Sequence, residues 1–402
     1  MSKKLALILG IRPDVIRASL ILGMLRDDPE CDLQFIWSGQ HYSDNMKDVF
    51  FRDLGVAPPD IELGAGGETD ADISSAVIAR LAPVLREMAP EAAVFLGATN
   101  TVMGCLAAAQ LNIPIVHIEG CMRSYDWRMP EEKYRTVIDH LADVVYAYFD
   151  EYKAQGVAEG LNPDSIVVTG NPIVDVLDHH YYGRKDHYEA LADAEFFASR
   201  GIVKDGYYVM TCHRRENVGD LDALKAILAM VGAAGRPVYF PASYRTQKII
   251  EANGLSVPAN VITVDPVGYE EFLVLLVNSR GALTDSGTVV EETCVLGVPA
   301  LQIRKSTERP QVYDVASCVK FDPAVPEEYP PAEVFRKVES LYGKKWTHTL
   351  GDGRSSRRIA DDLLSRLKEG RFRRHAPADY HLDISRSYRG DGLSTRARPH
   401  RL

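Results

Sequence analysis

The sequence predicts an α/β protein of two Rossmann-like domains whose parallel sheets face a central cleft. Three observations predict it: short apolar, β-branched runs alternate with helical patterns, the series repeats after residue 172, and anion-binding residue types recur just beyond the runs. The first series comprises residues 5–9, 33–37, 93–96, 115–117, 144–147 and 166–168. These runs are apolar throughout rather than alternating, which calls for helices on both faces of a parallel sheet. After a crossing near Gly170-Asn171-Pro172 the pattern returns at 207–211, 238–240, 261–264, 282–284 and 301–303. The domains therefore span 1–172 and 173–367, followed by a tail, 368–402, rich in Arg, Ser, Gly and Pro. Open parallel sheets take ligands beyond the carboxyl ends of their strands, so motifs just after strands should converge at the cleft.

Composition narrows the function. A chain of 402 residues with 46% hydrophobic content can bury two cores. No apolar run approaches a membrane span, and Met1-Ser2-Lys3-Lys4 leads into a strand rather than a secretory signal; a cytoplasmic protein with no membrane partner is expected. The six cysteines are widely spaced without a Cys-x-x-Cys pair, which indicates neither a metal site nor a disulfide framework. A net charge of -10 argues against a general nucleic-acid binder, so any phosphate pocket must be a local basic island.

The most informative motif is Thr284-Asp285-Ser286-Gly287, continuing through Glu291-Glu292 to Thr307-Glu308-Arg309-Pro310. A strand opening through a Ser-Gly turn into a helix presents unpaired N–H groups and partial positive charge to an anion. Glu292 lies about 9 Å along the helix from Ser286 at the standard rise, in reach of a ribose diol when a diphosphate sits on the turn. The same residues also read as an ordinary Ser N-cap followed by solvated glutamates. In the first domain, Arg12 and Arg17 flank the Pro13 helix start. Two cations there are unfavourable unless an anion joins them, although two surface arginines fit as well. His213, followed by Arg214 and Arg215, stands at a strand's carboxyl end, where it can contact a diphosphate or protonate a leaving oxygen; a lone histidine is otherwise structural. Glu119 sits between an apolar strand and Gly120, where a carboxylate needs a partner or a raised pKa. Glu131 and Glu132 open the next helix, and Glu132 fits an ordinary first-turn position.

Taken together these residues resemble the UDP-N-acetylglucosamine 2-epimerase family over nearly the whole chain to about residue 367. The match rests on Gly10-Ile11-Arg12-Pro13, Ser38-Gly39-Gln40-His41, His117-Ile118-Glu119-Gly120, Arg123 with Met129-Pro130-Glu131-Glu132 and Arg135, Thr169-Gly170-Asn171-Pro172, His213-Arg214-Arg215-Glu216, Thr284-Asp285-Ser286-Gly287 with Glu291-Glu292, and Thr307-Glu308-Arg309-Pro310. The resemblance implies a GT-B fold whose final helix crosses back to the first domain, a homodimer, and a cofactor-free reaction on a UDP-sugar. In that reaction UDP is eliminated to a 2-acetamidoglucal and re-added with C2 inverted. The first domain would supply the sugar and acid-base residues, the second the UDP site. By position, Arg12, Arg17, His213, Ser286, Gly287 and Arg309 would hold the diphosphate, Glu292 the ribose and Phe272 the uracil. Glu119 and Glu131 would be the acid-base pair, with His213 beside them and Arg135 among the substrate-binding residues.

Three positions depart from the family pattern. Ala98 stands where an active-site aspartate is expected, either as an introduced substitution that stalls turnover or as a divergence that slows, alters or abolishes it. Val267 replaces a common Gln near the uracil. The segment after His41 differs from that of members regulated at a second UDP-N-acetylglucosamine site. Alternatives consistent with the motifs are a 2-epimerase of a modified UDP-amino sugar, a hydrolysing 2-epimerase releasing N-acetylmannosamine, a GT-B glycosyltransferase, and a catalytically silent UDP-sugar binder.

Overall fold

The computed structural model describes residues 2–39 and 50–373, together with the backbone of 387–389 and 393–395. Gln40 and His41, named in the sequence motif, lie outside the described residues, as does most of the tail; Ser387–Arg389 and Leu393–Thr395 pair antiparallel within it.

Two all-parallel sheets carry the chain. The first has seven strands in the order β3-β2-β1-β4-β5-β6-β7: β1 (Lys3–Leu9), β2 (Cys31–Trp37), β3 (Ile61–Glu62), β4 (Ala92–Leu96), β5 (Ile115–Ile118), β6 (Val144–Ala147) and β7 (Ile166–Val168). The second has six in the order β10-β9-β8-β11-β12-β13: β8 (Tyr208–Thr211), β9 (Val238–Pro241), β10 (Val261–Val264), β11 (Ala282–Thr284), β12 (Ala300–Ile303) and β13 (Cys318–Phe321). Every residue of β4, β5, β6, β11 and β12 is buried, which is why these strands read as continuous apolar runs. The sequence reading passed over β3 and β13. Both are edge strands, one only two residues long and the other interrupted by Lys320, so neither shows the unbroken apolar signature.

Both sheets change direction at their first strand, between β1 and β4 and again between β8 and β11. Ligand crevices of doubly wound folds lie at such switch points. Four segments therefore converge there, one pair from each domain: residues 10–14 with 97–101, and 213–217 with 285–287.

The helix Ser355–Glu369 returns to the first domain and packs on the helix Arg12–Asp27. Ile359, Ala360, Leu363 and Leu367 form its buried stripe at helical spacing. Lys3 Nζ donates to the Leu367 carbonyl at 2.8 Å, and the buried Tyr146 hydroxyl donates to Asp362 at 2.8 Å. At its other end the Asp175 carboxylate accepts from the Ser355 and Ser356 amides at 3.1 and 2.7 Å, neutralising orphan donors of the first turn. Among the described residues no helix is long and apolar enough to cross a membrane.

Candidate active site

The first domain contributes a carboxylate held by arginines. The helix after β1 begins at Arg12, with Ile11 as an extended N-cap that offers no side-chain bond and Pro13 in the first turn. Arg12 lies 5.6 Å from the centroid of the Phe50 ring, and burial lowers its pKa. Arg17 is 4% exposed, which excludes the reading of a surface arginine. Its guanidinium bonds Asp14 at 2.9 Å and Glu119 through the other terminal nitrogen. Glu119 follows β5 with a left-handed backbone, φ +76°, a conformation that costs a non-glycine residue roughly 1–3 kcal/mol. The turn is fixed from both sides. The Glu119 and Gly120 amides both donate to the Tyr146 carbonyl at 3.1 Å, and a Cβ on Gly120 would fall 2.2 Å from Val145. The Glu119 carboxylate accepts from Tyr148 at 3.0 Å and pairs with Arg309 at 3.2 Å. Burial pushes its pKa up, but Arg17, Arg309 and Arg135 outweigh burial and hold it below the usual carboxylate range.

Two neighbouring acidic residues divide their work. Glu132 is buried, accepts from the Ser124 and Tyr125 amides at 3.0 and 2.9 Å, and pairs with Arg135 at 3.0 Å, so it locks the loop before its helix. Glu131 faces the second domain, 3.6 Å from Arg214. His117 is structural: Nδ1 meets Asp139 at 2.6 Å and Nε2 the Gly97 carbonyl at 2.8 Å. Ala98, next to Gly97, is 6% exposed.

In the second domain Ser286 caps the helix Gly287–Leu296, its hydroxyl accepting from the Val289 amide at 3.4 Å. The two glutamates that follow are buried, not solvated. Glu292 accepts from Tyr269 at 2.9 Å, and burial raises it to about 8. Glu291 accepts from Asn171 at 2.8 Å, pairs with Arg309 at 2.9 Å, and is raised to about 7 by burial. Asp285 fastens the loop after β8, accepting from the His213 and Arg214 amides at 2.9 Å each. His213 itself is about half exposed, its Nδ1 3.5 Å from Asp285. Phe272 lies in the helix Tyr269–Val277 and packs, partly buried, against apolar clusters of the second domain.

Arg309 joins the two halves. It pairs with Glu308 and Glu291 of its own domain and with Glu119 of the other, while the 307–311 loop docks on the first domain: Tyr152 donates to the Glu308 carbonyl at 2.7 Å and Gln311 to Glu151 at 2.9 Å. Glu308 also faces Arg304, Arg214 and Arg135; burial raises its pKa, but these cations hold it well below the usual range. The basic island thus consists of Arg12, Arg17, Arg135, Arg214, Arg304 and Arg309, and all of these but Arg12 are paired with carboxylates. Asp14 and Tyr148 were not singled out from sequence, and Asp285 and Glu308 stood in quoted motifs without a role of their own. Tyr148 and Asp14 carried a usable signal, since each stands just past the carboxyl end of a strand. Among the described residues no group of His, Cys, Asp and Glu could hold a metal ion.

Two doubly wound domains closing on an arginine-lined cleft, with a final helix returned to the first, define a GT-B protein. The family profile for UDP-N-acetylglucosamine 2-epimerase matches residues 24–364. The chain is 32% identical over 368 residues to the UDP-N-acetylglucosamine 2-epimerase of Methanocaldococcus jannaschii, covering 89% of this chain and 97% of that one. A crystal structure of that enzyme in complex with UDP-GlcNAc and UDP superposes with a TM-score of 0.81 over 90% of this chain and 99% of the other. The chain is also 32% identical over 319 residues to the UDP-2,3-diacetamido-2,3-dideoxy-D-glucuronate 2-epimerase of Pseudomonas aeruginosa, covering 76% and 84%. The chain belongs to the UDP-N-acetylglucosamine 2-epimerase family.

Proposed function

We propose that this protein is an isomerase that interconverts UDP-N-acetylglucosamine and UDP-N-acetylmannosamine by elimination and re-addition of UDP. The observation that carries the reading is Glu119, a buried carboxylate held ionised between Arg17 of its own domain and Arg309 of the UDP-side domain. A carboxylate accepts the C2 proton as the C1–O bond breaks and its electron pair leaves with the UDP oxygen, forming the C1–C2 double bond. A proton is then delivered to C2 from the opposite face while the UDP oxygen re-adds at C1. Glu119 and Glu131 are the proposed acid-base pair. Arg12, Arg17, Arg309, His213 and the Ser286-Gly287 helix start are the proposed diphosphate contacts, stabilising the charge that develops on UDP. Glu292 is assigned to the ribose and Phe272 to the uracil side. A homodimer is the proposed assembly.

The test is incubation with UDP-N-acetylglucosamine in deuterated water. Deuterium at C2 together with UDP-N-acetylmannosamine is the expected result; free N-acetylmannosamine would point instead to a hydrolysing enzyme. The Pseudomonas aeruginosa relative favours a second reading, a substrate bearing further acetamido or carboxylate groups, because the residues assigned to UDP do not read C3 or C6 of the sugar. A panel of UDP-amino sugars in the same exchange experiment separates the two.

A further inference from the structure

Asp14 is a carboxylate at the cleft that the site described above leaves half accounted for. It is fully buried in the first turn of the helix Arg12–Asp27. One oxygen accepts from Arg17 Nη2 at 2.9 Å, while the other is buried without a hydrogen-bond partner. Gly97 leaves room for it at the end of β4: a Cβ there would lie 2.8 Å from Asp14 Oδ1 and 3.4 Å from Arg17 Nη2. The other terminal nitrogen of the same guanidinium bonds Glu119. Two buried carboxylates therefore draw on one cation across the switch point, beside a position, Ala98, that supplies no carboxylate of its own.

Resting on the epimerase reading, we propose that Asp14 is a positioning residue of the reaction: it competes with Glu119 for the Arg17 guanidinium and so sets the basicity of Glu119 toward the sugar C2 proton. An arginine does not release its proton, so the coupling is electrostatic rather than a relay. When Asp14 is ionised, Arg17 is shared and Glu119 holds a proton more readily. When Asp14 is neutral, Arg17 serves Glu119 alone and the base weakens. Burial pushes the Asp14 carboxyl up to about 7, with Arg17 opposing and the charge of Glu119 adding, so the change of state falls in the neutral range. The groups facing this pair are Arg17 on the same helix, Glu119 after β5, Tyr148 after β6, Arg135 from the helix Pro130–Leu141, and Arg309, Glu291 and Glu292 from the second domain.

Coupling of this kind is reciprocal, so it can be read at either carboxylate. The experiment uses the full chain with ¹³C-labelled aspartate carboxyls, the Asp14 resonance being assigned by its loss in Asp14→Asn. That resonance should titrate near neutrality and move down by about one unit or more in Glu119→Gln. In parallel, C2 deuterium exchange on UDP-N-acetylglucosamine should rise with pH through the Asp14 midpoint in the unaltered chain. Asp14→Asn should lose this rise, with a rate about 3- to 10-fold lower at pH 8 and nearly unchanged at pH 6. Asp14→Glu, which keeps the charge, should retain it. An Asp14 midpoint indifferent to Glu119→Gln overturns the proposal, as does a loss of rate in Asp14→Asn that is equal at both pH values. Absence of exchange in both the unaltered chain and Ala98→Asp sinks the epimerase reading instead, and the spectroscopic midpoint then decides the coupling by itself.

Discussion

Arg309 Nη2 reaches Glu119 Oε1 at 3.2 Å across the cleft, tying a cation of the second domain to a carboxylate of the first. If Arg309 takes a diphosphate as proposed, this bond must loosen, and UDP binding and the state of Glu119 would then be linked through one guanidinium.

Arg309→Ala should weaken UDP binding by roughly 1 to 3 kcal/mol, the scale of a charge-assisted contact. It should also lower thermal stability, because Glu119, Glu291 and Glu308 lose a shared buried partner. Calorimetric titration with UDP, run below the variant's melting transition, separates the two effects; unchanged UDP affinity would remove Arg309 from the site.

Gly287→Ala tests the same contact with less disturbance. A Cβ at this position would lie 2.4 Å from Arg309 Nη1 and 2.7 Å from its Cζ, so the guanidinium must swing away. Because a side-chain end yields rather than backbone, the fold should survive, with a melting temperature below that of the parent but above that of Arg309→Ala, since the guanidinium stays near Glu119, Glu291 and Glu308. UDP affinity should drop by roughly 1 to 3 kcal/mol. A variant that melts early but binds UDP normally would contradict this.

Glu119→Gln and Glu131→Gln should each reduce C2 exchange by at least about 100-fold, as expected when a general acid or base is removed. UDP affinity should hold or improve in Glu119→Gln, since two guanidinia are released from a competing carboxylate. Turnover at the parent rate in both variants would end the assignment of this pair.

Glu292 should make the protein less stable as pH rises. Burial lifts its folded pKa to about 8 from an ordinary value of 4.5, so between those limits the folded state binds more protons than the unfolded state. Its contribution is fully present below pH 4.5 and is lost as pH climbs toward 8, at up to about 1.4 kcal/mol per pH unit. Melting temperature should fall from pH 5 to pH 8 and fall less in Glu292→Gln, which keeps an acceptor for the Tyr269 hydroxyl. Equal pH slopes in the two proteins would show that Glu292 does not titrate there.

Ala98→Asp should raise 2-epimerase turnover by at least about 100-fold, the scale of restoring one proton-handling or substrate-orienting group. Ala98 is buried just past β4, next to Gly97, whose own Cβ would lie 3.4 Å from Arg17 Nη2. A time course by NMR on both proteins at matched concentration reads the outcome. Equal rates would make an aspartate at this position dispensable; two inert proteins that still bind UDP would favour a silent binder.

The alternation of apolar runs with helical patterns, the repeat of that series and the motifs placed after strands were legible in the chain alone, because fully buried parallel strands leave continuous apolar runs and ligand sites follow their carboxyl ends. The same reading named Arg12, Arg17, Glu119, His213 and Ser286 as candidates beyond strand ends, and the resemblance added Arg309. It left open which charged groups are buried and with whom. Arg17 and Glu119 are 102 residues apart in the chain and Glu119 and Arg309 are 190 apart, so no local pattern records their pairing. Glu291 and Glu292 read equally well as solvated helix residues until the packing of Asn171, Tyr269 and Arg309 against them sealed both carboxylates from water. The left-handed turn at Glu119 is likewise invisible in a glutamate's own preferences, because the Tyr146 carbonyl and the close approach of Val145 to Gly120 impose it. Periodicity along one chain reports the solvent boundary of each element; proton affinity and charge pairing depend on distances between elements, which only the closed tertiary structure sets.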